Sequence, residues 1–141
     1  MEQADIQTRK LLVVDDDETV LKLFLALRRK YNGLLEVIVL QSVDGAIKEM
    51  ERGCSPDLIL ADVSLPKKSG IELVEWIYEF RKDLFERLYL MSGYDRGAIS
   101  LNPLLTQYPN HFIQKPSILK PVTRIIEQHL GLRKRQEPSH L

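Results

Sequence analysis

Apolar residues along the chain fall into two alternating patterns. Short uninterrupted runs stand at Leu11–Val14, Val37–Leu40, Leu58–Ala61 and Leu88–Met91, with a weaker one at Phe112–Ile113. Continuous rather than every-other apolar positions suit strands of a parallel sheet covered on both faces. Between the runs, apolar residues recur three or four apart. Val20, Phe24, Leu27 and Tyr31 form one stripe, with Leu21 and Leu25 beside it and Asn32-Gly33 as a stop signal. Val43, Ala46, Ile47 and Met50 form a second, with Ser42 as its N-cap and Gly53 near its end. Ile71, Val74 and Tyr78 form a third, widened by Leu73, Ile77 and Phe80, and Ser69-Gly70-Ile71-Glu72 fits a capping box. Leu119, Val122, Ile126 and Leu130 make a last stripe, closed by Gly131, with Pro121 in the first turn where a missing N–H is tolerated. Residues 95–110 should hold one more helix, but Asn102-Pro103 and Tyr108-Pro109 interrupt it, which predicts a short or displaced one.

Five strands alternating with helices imply a doubly wound α/β domain, a five-stranded parallel sheet of (βα)5 type with right-handed crossovers. Residues 1–9 read as a flexible N-terminal segment, 10–131 as the domain, and 132–141 as a polar C-terminal tail. Composition narrows the function. Twenty basic and 20 acidic residues cancel, so no basic excess points to direct nucleic-acid or membrane binding. A single cysteine, Cys54, excludes an internal disulfide. The first residues lack the apolar core of a signal peptide, and no apolar run approaches a bilayer span. The expected location is the cytoplasm.

The chemistry sits where the strands end, which is where such sheets gather ligands. Asp15, Asp16 and Asp17 follow the first run, Asp62 the third, Ser92 the fourth, and Lys115 the fifth. Carboxylates converging on one rim repel, and at least one should be hard to ionise unless a cation joins them. Hard oxygen ligands favour Mg²⁺, Mn²⁺ or Ca²⁺ over zinc. Asp62 could then serve as a nucleophile toward phosphorus, with Lys115 and Ser92 binding the non-bridging phosphoryl oxygens. Asp17 reads as a helix cap. His111, His129 and His140 show no ligand spacing and read as surface residues. Trp76 and the tyrosines form no stacking platform for bases.

These segments resemble the response-regulator receiver domains of two-component signal transduction. Leu11-Leu12-Val13-Val14-Asp15-Asp16-Asp17-Glu18 is similar to the opening of that family. The segment from Pro56 to Gly70 is similar to its phosphorylation segment, with a Pro four and a Gly eight residues past Asp62. Met91-Ser92-Gly93 resembles its Ser/Thr switch position, and Phe112-Ile113-Gln114-Lys115-Pro116 its Lys-Pro site with the aromatic switch residue three before the Lys. The resemblance runs from about Lys10 to Leu130 and implies strand order 2-1-3-4-5, the flavodoxin-like arrangement. It implies Asp62 as phosphoacceptor and Mg²⁺, or Mn²⁺ in its place, on Asp16, Asp62 and the Ser64 backbone carbonyl, with Asp15 acting mainly through water. It implies a sensor histidine kinase or phosphotransfer protein as donor, self-catalysed gain and loss of phosphate without other enzymatic activity, a downstream effector the sequence does not identify, and room for a homodimer. It also implies a cis Lys115–Pro116 bond, and Ser64 and Tyr94 flanking the path of the hydrolytic water. Phe112 lacks a tyrosine hydroxyl, so any switch there is one of packing.

Two other functions compete. Asp15-Asp16-Asp17-Glu18-Thr19 fits the Asp-x-Asp-x-Thr signature of haloacid-dehalogenase-like phosphatases, with Asp15 as nucleophile and Asp17 as acid/base. No acidic pair follows Lys115 to complete that site, and the Asp62–Gly70 segment is left unexplained. A pseudo-receiver, an interaction module that never takes phosphate, would not need the full set of Asp15, Asp16, Asp62, Ser92 and Lys115.

Overall fold

The computed structural model describes residues 8–93 and 111–133. Strands β1 (Arg9–Val14), β2 (Leu35–Leu40), β3 (Leu58–Asp62), β4 (Leu88–Ser92) and β5 (Phe112–Gln114) form one parallel sheet in the order β2-β1-β3-β4-β5. The helices are α1 (Glu18–Arg28), which tightens into a 3-10 turn over Arg29–Tyr31, α2 (Val43–Glu51), α3 (Gly70–Phe80) and α4 (Leu119–Leu130). The expected helix over residues 95–110, and with it Tyr94, falls outside the described residues, as does His140. No helix among the described residues is long and apolar enough to cross a membrane.

The uninterrupted strand sequences have a direct cause. Leu11 and Val13 of β1 and Leu58 and Leu60 of β3 pack on one face with Val20, Phe24 and Leu27 of α1 and Val122 and Ile126 of α4. The intervening Leu12, Val14, Ile59 and Ala61 pack on the other with Ala46 and Met50 of α2 and Leu73, Val74 and Ile77 of α3. Each central strand is therefore buried on both sides, and alternation of polar residues would place a polar group in one core or the other. The core continues past residue 131, because Leu132 is buried with α1 and α4.

Helix ends follow local chemistry. Asp17 Oδ1 accepts from the Thr19 N–H at 2.9 Å, and Ser42 Oγ from the Gly45 N–H at 3.1 Å. Asn32 and Gly131 take the left-handed conformation that closes the turn after α1 and the end of α4. Ser69 differs from expectation. It precedes α3, but its side chain makes no capping bond, because the Glu72 N–H is already taken by the Ser69 carbonyl at 3.0 Å. Phe80 does not widen the buried stripe of α3: it is 60% exposed. The chain turns there into a 3-10 segment, Lys82–Arg87, whose Leu84 and Phe85 fill that part of the core instead. Leu25 likewise faces outward on α1.

Candidate functional site

The sheet order delivers the strand ends to one another. β1 pairs with β3 in a register that sets Val14 opposite Ala61, so the residues that follow, Asp15 and Asp62, end neighbouring strands. Asp62 lies opposite Met91, and the Val63 N–H donates to the Met91 carbonyl at 2.9 Å. Ser92 lies opposite Gln114, and the Lys115 N–H donates to the Ser92 carbonyl at 2.8 Å. Asp15, Asp16, Asp62, Ser92 and Lys115 thus meet at one rim, each placed by backbone pairing.

Burial and charge set the chemistry of that rim. Asp15, Asp62 and Ser92 are buried, while Asp16 is exposed. The Lys115 ammonium bridges the two buried carboxylates, 2.8 Å from Asp15 Oδ2 and 3.3 Å from Asp62 Oδ2. The remaining oxygens take backbone donors: Asp17 N–H to Asp15 Oδ1 at 2.9 Å and Ser64 N–H to Asp62 Oδ1 at 3.2 Å. Burial, reinforced by the charge of Asp15, pushes the Asp62 carboxyl above its ordinary value, and Lys115 only partly opposes this. Burial alone would depress Lys115, but Asp15 and Asp62 together outweigh it and hold the amine above its usual range. Among the described residues, the Lys115 ammonium is therefore shared between two buried carboxylates, with the Asp16 carboxylate a third beside them.

That imbalance fits a divalent cation. Asp15, Asp16 and Asp62 each offer a carboxylate oxygen, and these oxygens lie within 4.8 Å of one another. The donors are all hard carboxylate oxygens, the type that suits Mg²⁺ or Mn²⁺.

The loop after Asp62 folds back on itself. The Gly70 N–H donates to the Val63 carbonyl at 3.0 Å, and the Lys68 N–H to the Pro66 carbonyl at 2.8 Å. Gly70 opens α3 directly against β3: a Cβ there would run into the Asp62 carbonyl oxygen and lie 3.1 Å from the Val63 Cα. In the sequence this glycine is only a matched position eight residues past Asp62; its steric role needs the fold. Two more contacts were not legible. Lys68 Nζ pairs with Asp44 Oδ1 at 2.7 Å, tying the loop to α2. Gln114 Nε2 reaches the Gly93 carbonyl at 3.3 Å, joining the ends of β4 and β5.

Other predicted residues sort clearly. Asp17 caps α1, and Asp15 is enclosed with the Asp17 amide and the Lys115 ammonium on its oxygens, so the dehalogenase-like reading gains no support. The Lys115–Pro116 bond is cis. Phe112 is half-buried on the α2/α3 side of the sheet. His111 is not the plain surface residue expected: its ring stacks on Tyr89 at 4.1 Å, and its Nδ1 lies 2.9 Å from the Leu88 carbonyl oxygen. His129 meets the same Tyr89 edge-on.

Comparison with known proteins agrees with this geometry. A family model described as the response regulator receiver domain matches residues 11–127. The polar-differentiation response regulator DivK of Brucella abortus is 33% identical over 72 residues, covering 50% of this chain and 54% of DivK. The match thus spans about half the length of that curated relative. Among solved structures, the phosphorylated cyanobacterial phytochrome response regulator RcpA superposes with a TM-score of 0.74 at 22% identity, covering 88% of this chain and 95% of its own. The response regulator TrrA of Thermotoga maritima, in complex with Mg(2+)-BeF, gives 0.67 at 18%, covering 86% and 99%. The Mn(2+)-bound form of response regulator Rcp1 gives 0.69 at 22%, covering 93% and 99%. At these identities the structures share the fold.

Proposed function

The chain belongs to the response regulator receiver domain family, and from that premise we propose that Asp62 is the residue that takes the phosphoryl group. The observation that carries the proposal is Asp62, buried at the end of the central strand and joined to the neighbouring Asp15 through the Lys115 ammonium. The donor is a phosphohistidine on a sensor kinase or phosphotransfer protein. An Asp62 carboxylate oxygen attacks phosphorus, the P–N bond breaks, and the imidazole leaves with the electron pair. The product is an aspartyl phosphate. Water later cleaves it, returning the carboxylate and inorganic phosphate.

The remaining residues position and neutralise. Lys115 holds one non-bridging phosphoryl oxygen by charge, and the Ser92 hydroxyl donates to another. Asp16, Asp62 and the Ser64 carbonyl are the residues that would hold Mg²⁺, with Mn²⁺ as a substitute and Asp15 acting mainly through water. When bound, the cation supplies the positive charge that Lys115 alone cannot. Ser92 and Phe112 carry the change of state toward a downstream effector, Phe112 by packing alone. The protein acts in the cytoplasm as a signalling phosphoacceptor whose only chemistry is its own gain and loss of phosphate.

Intact-mass measurement after acetyl phosphate and Mg²⁺ tests this. The wild type should gain one phosphoryl mass and Asp62→Asn should not. An equal gain at the same rate in Asp62→Asn would overturn the assignment. Turnover of a generic phosphomonoester that survives Asp62→Asn would favour the dehalogenase-like reading.

A further inference from the structure

Helix α3 carries three carboxylates, Glu72, Glu75 and Glu79, and no lysine or arginine. Glu72, Trp76, Glu79 and Phe80 fall at i, i+4, i+7 and i+8, one continuous stripe along the helix. Glu72, Glu79 and Phe80 are exposed and Trp76 is half-buried. The Trp76 and Phe80 ring centroids lie 5.6 Å apart at an interplanar angle of 38°. The pair therefore offers a joint aromatic surface rather than two scattered apolar side chains.

Glu72 stands in the first turn, where the helix dipole favours it, but Glu79 works against the stability of the helix. Glu79 sits in the last turn, where exposed carbonyls favour a cation, and no basic residue stands there. Among the described residues, the Glu72 and Glu79 side chains make no salt bridge. Neighbouring cations are engaged elsewhere: Lys68 with Asp44, Arg81 with Asp83 and the Met50 carbonyl, and Lys82 over the Tyr78 ring.

Aromatic faces attract cations, and flanking carboxylates add to that attraction. The same carboxylates repel nucleic acid and anionic lipid. A second copy meeting this face with the same face would set carboxylates against carboxylates. Charge complementarity thus selects a cationic protein segment with an apolar anchor. We propose that the outer face of α3, centred on Trp76 and Phe80, docks a Lys/Arg-bearing amphipathic segment of a partner protein. This surface is separate from the phosphoacceptor rim and stands whether or not Asp62 takes phosphate.

Trp76 is the only tryptophan in the chain, so its emission reports directly on the stripe. The probe is a synthetic amphipathic peptide with Lys and Leu at helical spacing, titrated into the full chain. Saturable change in Trp76 emission is expected, weakening as NaCl rises from ~50 to ~500 mM. Phe80→Ala and Glu79→Gln should each weaken binding about three- to fivefold, the worth of one exposed cation–aromatic or charge contact. Both positions are exposed, so both variants should fold. No saturable change, or equal affinity for wild type and both variants, overturns the proposal. So does Phe80-dependent binding to phosphatidylserine vesicles, or Phe80-dependent self-association in sedimentation.

Discussion

Replacing the Asp62 carboxylate should make the metal-free protein more stable. Asp62 is buried beside two other carboxylates, and Asp62→Asn removes a charge while nearly keeping the shape. The Lys115 ammonium lies 3.3 Å from Asp62 Oδ2, an attraction of about 5 kcal/mol at an effective dielectric of about 20. Asp15 offers an oxygen within 4.8 Å and opposes Asp62 by about 3.5 kcal/mol on the same basis, while Asp16 is exposed and screened by solvent. Burial of the charge, the largest cause of the raised Asp62 carboxyl, tips the balance against the ionised form. The expected gain for Asp62→Asn is therefore about 1–2 kcal/mol in EDTA near neutral pH. The sign with pH follows from the raised carboxyl. A folded-state value above the ordinary 3.8 means the fold binds the proton more tightly than the unfolded chain. The wild type thus loses stability relative to the variant as pH rises through the folded value, and the gap closes below 3.8. Mg²⁺ should reverse the order, because ligand at ~100 times its dissociation constant stabilises the wild type by about 2.7 kcal/mol and the variant has lost a ligand. Urea unfolding followed by Trp76 fluorescence, in EDTA and in MgCl₂, measures both terms. A variant no more stable than wild type in EDTA, at unchanged denaturant slope, would refute the electrostatic account.

Further outcomes follow from individual contacts. Asp16→Ala should weaken Mg²⁺ binding sharply in a fluorescence or calorimetric titration, whereas Asp17→Ala should leave it near wild type and cost about 1 kcal/mol of stability through the lost cap of α1. Equal effects on Mg²⁺ binding would point to a diffuse acidic patch. Lys115→Met, opposite in sign to Asp62→Asn, should destabilise the metal-free protein by about 3 kcal/mol because it leaves two buried carboxylates without their cation; a rise in the urea midpoint would contradict this. Gly70→Ala should cost about 1–3 kcal/mol and slow the acetyl phosphate reaction, since the new methyl displaces the backbone of Asp62. Wild-type stability and rate in that variant would show that the loop yields without cost.

The central architecture was legible because burial on both faces leaves its mark on every strand residue. Leu11–Val14 and Leu58–Ala61 can hardly be anything but central strands, and the carboxylates that follow them meet as the strand order requires. Strand starts were less visible. Arg9 and Lys10 join β1 although they are polar, because Arg9 N–H bonds the Leu34 carbonyl and Asp57 N–H bonds that of Lys10. Phe80 misled because helical spacing says which residues share a face but not where the core ends. The 3-10 segment that takes over the core at Leu84 and Phe85 has no comparable periodic signal. His111 misled for a related reason: its stacking partner Tyr89 is 22 positions away, and no local pattern joins them. At the rim, residue identities were readable, but Lys115 shared between two carboxylates and Gly70 pressed against Asp62 are facts of three-dimensional placement.

Asp62 ends a strand that has a neighbour on each side, and the Val63 amide is bonded across to β4. Its location is written in main-chain ladder bonds, which are indifferent to the side chains displayed on the helices outside. The rim around Asp62 behaves as a chassis, and the helix exteriors as interchangeable bodywork. Substitutions on the outer faces of α1, α3 or α4 can therefore change what those surfaces bind without moving Asp62. The same division gives an engineer a route to transplant an outer helix face between relatives while leaving Asp62 in place.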